Sequence, residues 1–299
     1  MVCSAEMSID STAGAEGYEG TNAEQRRNWN ELSGPAWVAE SEQIGAQIRP
    51  YGVPALARLQ LAAGHRVLDV GCGGGETTLA LGEGVGPTGS VVGVDVSRPL
   101  LDHALGMAQS AGITNVSFAL ADAQTAELPE ASFDRLFSRF GVMFFQDPQA
   151  AFTNLRKALK KDARMSFVCW RGAKENPWLS LTLAAVAKHV ELPRPDPDAP
   201  GPMAFANEAR TRGILEGAGF REVAFELFEA PMNLGGGLSG LDETVDFMTR
   251  IGPAAGALRQ ASPEVRPAAI AAMREAVRPY HGAAGVVMPA SVWLVTAGN

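Results

Sequence analysis

A nine-residue run, Val67-Leu68-Asp69-Val70-Gly71-Cys72-Gly73-Gly74-Gly75, constrains what this chain can fold into more than any other stretch. A short apolar strand ends beside an acid, and a glycine-rich turn leads directly into a helical pattern. Glycines at such a turn let the backbone approach a ligand closely at a helix N-terminus, where unpaired N–H groups converge. Two more carboxylates follow at comparable places, Asp95 at the end of the next strand and Asp122 at the end of the one after. Acids on successive strand tips suit the hydroxyl and amino groups of a nucleoside.

The pattern around this run alternates. Val67–Val70, Val91–Asp95, Val116–Leu120, Phe133–Ser138 and Met165–Trp170 read as strands; residues 75–83, 98–111 and 147–160 read as helices between them. Ser97 is placed to cap the second helix and Gly112 to close it. Strands separated by helices of this length imply parallel βαβ units, hence an α/β fold with a doubly wound sheet.

Residues 1–22 are small, polar and acidic, and read as a disordered leader. Residues 23–62 form an N-terminal helical segment, with breaks expected at Gly34-Pro35 and at Pro50. The main domain is expected over 63–299, with cap insertions at about 172–206 and 235–288. Within these, 177–191 and 207–217 read as helices, and 193–202 as a loop with five prolines. Gly235-Gly236-Gly237 reads as a flexible joint, and 241–250 and 263–278 as helices, the second broken or delayed by Pro267. Val223–Glu229 and Ser291–Thr296 read as strands. The cap helices are expected over the ligand mouth at the strands' carboxyl ends.

Composition narrows the partners. A net charge of −8 disfavours nucleic acid, and the basic cluster Arg156, Lys157, Lys160 and Lys161 falls where a helix end welcomes cations. Three cysteines, Cys3, Cys72 and Cys169, fit neither a disulfide framework nor a metal cluster, and no apolar run is long enough to span a membrane. A cytoplasmic protein is expected, and a homodimer is possible.

Two readings of the glycine loop compete. In the dinucleotide pattern G-x-G-x-x-G, Gly71 and Gly73 fit, but the third position is Glu76, poorly suited by size and charge to a pyrophosphate. Asp69 faces an ammonium group more readily than a phosphate, which favours a methionine-type ligand.

Val67–Gly75, Gly93-Val94-Asp95, Ala121-Asp122-Ala123 and Phe133-Asp134 together resemble the class I S-adenosylmethionine-dependent methyltransferases. The similarity is greatest to the small-molecule (type 11) group that includes ubiquinone and menaquinone C-methyltransferases. Met143–Pro148 and Phe167–Arg171 add to it. The resemblance implies a seven-stranded, mostly parallel, Rossmann-like sheet with the last strand antiparallel beside the fifth. It implies S-adenosyl-L-methionine as cofactor and S-adenosyl-L-homocysteine as product. Carried onto this chain, it implies that Asp69 holds the methionine amino group, directly or through water. Gly71, Cys72 and Gly73 then lie along the methionine and ribose, and Asp95, next to Val96, accepts from the ribose hydroxyls. Asp122 accepts from the adenine amine, the Ala123 N–H donates to the ring, and Arg139 and Phe140 border the methyl group.

Methyl transfer from a sulfonium is an in-line displacement helped chiefly by positioning, with no metal required. An acceptor of high pKa needs a general base, for which Tyr280-His281 is the first candidate; His65 and His103 read as surface residues. Trp29 and Trp37 are open to two roles, facing the ligands or filling the core. The fourth strand ends Ser138-Arg139-Phe140-Gly141, not in the Asn-Pro-Pro-aromatic run of DNA-base amino methylation. It also lacks the acid of magnesium-dependent O-methyltransferases. The expected reaction is metal-independent methylation at O, C or N of a small hydrophobic metabolite. An NAD-type oxidoreductase and a non-catalytic cofactor-binding module remain the alternatives.

Overall fold

The computed structural model describes residues 18–192, 196 and 198–299. The leader expected over 1–22 therefore lies largely outside the described residues, as does part of the proline-rich loop. Near the N-terminus come α1 (Ala23–Arg27), a π-helical turn (Asn28–Leu32), α2 (Ser33–Ala39) and α3 (Ser41–Arg58). The alternating core follows as β1 (Arg66–Val70), α4 (Glu76–Val85), β2 (Ser90–Asp95), α5 (Arg98–Ala111), β3 (Val116–Leu120), β4 (Phe133–Arg139), α6 (Pro148–Ala158) and β5 (Leu159–Trp170). After it come α7 (Pro177–Val186), α8 (Glu208–Gly217), β6 (Arg221–Asn233), α9 (Leu241–Met248), α10 (Pro253–Arg259) and α11 (Arg266–Val277). A two-residue strand β7 (His281–Gly282) and the long β8 (Gly285–Gly298) complete the order.

The main sheet runs β3-β2-β1-β4-β5-β8-β6. β1 pairs in parallel with β2 and β4, β2 with β3, and β4 with β5. β8 lies between β5 and β6, antiparallel to both, and Ser291–Thr296 sits beside β5 as expected. Helices cover both faces, so β1 buries Val67, Leu68 and Val70 in succession rather than alternating. The loops that carry the site all leave the carboxyl ends of β1, β2, β3 and β4.

Local rules set many boundaries. The Ser97 hydroxyl accepts from the Leu100 N–H, and Gly112 closes α5 in a left-handed conformation at φ 66°. Asp147 caps α6, accepting from the Ala150 N–H, with Pro148 in the first turn. Pro267 likewise sits in the first turn of α11, which delays that helix as predicted.

Other boundaries depart from the sequence pattern. Pro50 does not break α3; it and Pro54 both lie inside the helix. Packing holds the helix together: Tyr51 and Ala55 are fully buried, Tyr51 donates to the Ala230 carbonyl and Ser166 to that of Ala55. The break expected at Gly34-Pro35 falls earlier, in the π turn, and α2 starts at Ser33. The triple glycine 235–237 is a packed turn rather than a loose joint. A Cβ on Gly236 would stand 2.1 Å from the Gln43 carbonyl oxygen, so this turn is pressed onto α3. Lys160 and Lys161 belong to β5 and not to a helix end, and Lys160 pairs with Asp134 at 2.8 Å.

Candidate active site

The β1 turn is fixed from beneath. The N–H groups of Gly71 and Cys72 both donate to the Val94 carbonyl, at 2.9 and 3.1 Å, which ties the turn to β2. Gly71 stands at φ 66°, and a Cβ there would meet the Cα of Gly141 at 2.6 Å. The turn after β1 and the turn after β4 thus touch backbone to backbone, which only paired glycines allow. Gly73, at φ 54°, has nothing within 4 Å of its Cβ position and leaves its side open to the adjoining cavity.

That cavity occupies the carboxyl edge of the sheet. Gly71, Gly73, Asp95 and Val96 line it from β1 and β2. Asp122, Ala123, Arg139 and Phe140 line it from β3 and β4. The Asp95 carboxylate takes one N–H on each oxygen, Gly73 at 2.8 Å and Ser97 at 2.9 Å. Burial raises its pKa while these N–H groups pull it back. The carboxylate is thus held at one rotation where it lines the cavity, and as an ionised group it offers only acceptor capacity. Asp122 is held similarly, by the Gln124 N–H at 2.9 Å and the Asn22 amide at 2.8 Å.

Asp69 departs from its expected place. It is fully buried and does not line the cavity; one oxygen takes the hydroxyls of Thr77 and Thr78 at 2.7 Å each, and the other has no partner. Burial pushes its pKa up to about 6, against the two hydroxyls. The two hydroxyls tie Asp69 to the first turn of α4 beneath the glycine loop. Cys72 also turns inward. Its thiol packs toward β2, near Gly93 and Thr78, and burial with the Asp95 and Asp69 carboxylates raises its pKa well above the ordinary value. A protonated, enclosed thiol is a packing group, not a nucleophile.

The β4 tip is shaped by Ser138. Its hydroxyl donates to the Val70 carbonyl at 2.7 Å and accepts from the N–H groups of Gly141 and Val142, each at 3.2 Å. This clamp holds Phe140 at φ 64°, a conformation costly for a bulky residue, and its ring stacks on Trp170 at 4.3 Å and 14°. Arg139 pairs with Glu76 at 3.0 Å, and Glu76 also takes Arg49. Burial pushes Glu76 up, but the two guanidinium groups offset it and leave the carboxyl below its usual range.

Across from the carboxylates the wall is apolar. Trp178 of α7, Phe247 and Met248 of α9, Pro253 and Ala254 of α10, and Met232 and Leu234 face the same space. From the N-terminal segment, Trp29 meets Trp37 and Phe144 edge to face, both at 5.3 Å, and all three line the cavity. Both tryptophans therefore face the cavity, and Trp37 also packs against the core.

Tyr280 and His281 do not reach this space. Tyr280 is half-buried against the core, and His281 is exposed on the β7–β8 hairpin, its Nε2 2.9 Å from the Ser239 carbonyl. Tyr280 ends the 3-10 turn Arg278–Tyr280 and His281 opens β7, and neither lines the cavity, so the geometry gives the pair no place beside the carboxylates. Sequence reading missed Asn22, placed in the leader but 5% exposed and lining the cavity. It also missed Trp170 and Trp178, whose rings lie 5.0 Å apart.

Comparisons with known proteins agree with this geometry. A protein-family model described as a methyltransferase domain matches residues 61–192. The uncharacterised methyltransferase YcgJ of Bacillus subtilis (strain 168) is 32% identical over 130 residues, covering 44% of this chain and 47% of the relative. The aklanonic acid methyltransferase DauC of Streptomyces sp. (strain C5) is 34% identical over 104 residues, covering 35% and 47%. A demethylmenaquinone methyltransferase of Staphylococcus aureus (strain JH9) is 36% identical over 97 residues, covering 32% and 39%. The chain spans less than half the length of each of these relatives. The crystal structure of YcgJ superposes on the same fold with a TM-score of 0.52 and 20% identity, covering 84% of this chain and 98% of that one. Glu76 in its ion cluster, the carboxylates of Asp95 and Asp122 on one cavity, and the matched domain decide against the dinucleotide reading. Residues 61–192 carry a methyltransferase domain, and over that region the chain is similar to methyltransferases such as YcgJ.

Proposed function

We propose that this protein transfers a methyl group from S-adenosylmethionine to a small, largely apolar acceptor. One observation carries the reading: a single cavity has Asp95 and Asp122 on one side and an aromatic, apolar wall on the other. The chain's residues fit the cofactor. Asp95 offers its carboxylate to the ribose hydroxyls, Asp122 accepts from the adenine amine, and the open face of Gly73 accommodates the chain between them. Arg139, paired on one side with Glu76, is the cation available to the methionine carboxylate. When bound, the cofactor supplies an activated methyl on a cationic sulfur. Phe140, Trp170 and the cap helices would then exclude water and hold the acceptor in line with that carbon.

The transfer is proposed to need no metal, so chelator should leave turnover unchanged. No helix among the described residues is long and apolar enough to cross a membrane. The free, buried thiols Cys72 and Cys169 suit a reducing compartment, which supports a cytoplasmic location. Relatives named for aklanonic acid and for demethylmenaquinone support an organic small-molecule acceptor without selecting one.

Calorimetry with S-adenosylhomocysteine, followed by mass-spectrometric detection of methyl transfer across a panel of phenols, quinols and organic acids, tests the reading. Binding in the micromolar range with turnover of one acceptor is expected. Absence of binding at millimolar ligand would refute it, and tight binding without turnover would favour the non-catalytic module.

A further inference from the structure

We propose that Asn22 is a positioning residue for base recognition: it fixes the Asp122 carboxylate so that only a base carrying an exocyclic amine is accepted. The inference rests on the cofactor reading above. Asn22 makes four hydrogen bonds to two loops. Its amide nitrogen donates to Asp122 Oδ2 at 2.8 Å and to Gln124 Oε1 at 3.3 Å. Its amide oxygen accepts from the Gln146 N–H at 2.8 Å, and its own N–H donates to Gln146 Oε1 at 2.8 Å. It is 5% exposed, so these bonds form away from competing water.

The chemistry follows from what each atom can do. An ionised carboxylate only accepts, and with the Gln124 N–H and the Asn22 amide in place both oxygens of Asp122 are held at one rotation. A 6-amino group donates to the lone pair left facing the cavity. A 6-oxo group presents an acceptor to an acceptor and is rejected, because the carboxylate cannot rotate away or admit a bridging water. Rejection therefore depends on the lock as well as on the charge.

The backbone explains why asparagine stands there. Asn22 lies at φ 57°, in the left-handed region that asparagine tolerates and most residues avoid. The residues after it extend the same function. Ser97 donates to the Trp29 carbonyl at 2.7 Å, and Asn30 accepts from the Arg98 N–H at 2.9 Å while donating to the Val96 carbonyl at 2.8 Å. The segment 22–30 therefore bridges the loop after β2, which carries Asp95, to the loop after β3, which carries Asp122. It sets the separation of the sugar and base subsites.

The test uses the full chain and two ligands, S-adenosylhomocysteine and S-inosylhomocysteine, titrated calorimetrically. Asn22→Gly keeps the left-handed backbone and removes the side chain. Gln146→Ala loosens the segment but leaves the donor on Asp122. Wild type should prefer the adenosyl ligand by about 30-fold or more, the scale of one charged hydrogen bond against a repulsion. Asn22→Gly should weaken the adenosyl ligand about 10-fold and the inosyl ligand less than about 3-fold, so that the ratio shrinks. Gln146→Ala should weaken both equally and keep the ratio. A wild-type ratio in Asn22→Gly, or equal losses for both ligands in it, would overturn the proposal while the cofactor reading stands. If wild type binds neither ligand, both fall.

Discussion

The two sides of the cavity are built in opposite ways. The side proposed for the cofactor comes from consecutive strand tips, and its polar groups are pinned by backbone N–H groups: Gly73 and Ser97 on Asp95, Gln124 on Asp122. The side proposed for the acceptor comes from pieces far apart in sequence, α7, α9, α10 and the end of β6, and offers mostly apolar surface. Sheet geometry dictates the first, so little can vary there without losing the loop. Side-chain packing dictates the second, and it tolerates exchange of one apolar shape for another.

The two sides differ most where a single polar group serves the cofactor. Asp95→Ala should weaken S-adenosylhomocysteine about 100-fold by calorimetry, because two hydroxyls lose a charged acceptor. An affinity within about 3-fold of wild type would show that the ribose is held elsewhere. Gly71→Ala places a methyl against Gly141 and should lower stability by about 2–3 kcal/mol in urea denaturation, with cofactor affinity falling as well. On the other side, Met248→Trp should raise the acceptor KM about 10-fold through lost space, with cofactor affinity unchanged. Equal losses for both substrates would mean the halves are not separable.

A smaller effect separates Asp69 from the two acids that line the cavity. Its folded pKa is about 6 against 3.8 for the ordinary group, so the folded state holds the proton more tightly. The stability it contributes is full below the ordinary value and is lost as pH rises through about 6. The ligand-free protein should therefore lose up to about 3 kcal/mol relative to Asp69→Asn between pH 4 and 7. Parallel melting curves for the two would contradict the burial of that charge. Smallest of all, Cys72 should resist iodoacetamide at pH 7.5 in the native protein, as peptide mapping would read; rapid labelling would place its thiol in the open.

The sheet was legible because runs such as Val67–Val70 and Val91–Asp95 carry their own period, and the turn glycines mark where each strand ends. Asp95 and Asp122 were legible for the same reason, since a strand tip can point only so many ways. That Asp69 lies beneath the cavity and not on it was hidden, because its hydroxyl partners Thr77 and Thr78 follow on the next helix and nothing in a linear pattern says which partner wins. Pro50 looked like a break because local rules ignore the burial of Tyr51 and Ala55. Asn22 was invisible: its partners are a hundred residues or more away, and its neighbours look like solvated tail. The residue types of Tyr280-His281 suit proton transfer, but nothing in their neighbourhood says where the turn and the short hairpin after it place them.

The position of β8 has a consequence for how the chain is made. β5 and β6 have no ladder to each other; each is joined to β8. While the ribosome is still producing residues 171–284, the flank of β5 and the whole of β6 carry bare peptide groups toward water and toward other nascent chains. Closure of the sheet therefore waits on one late insertion, that of β8 between two strands already made.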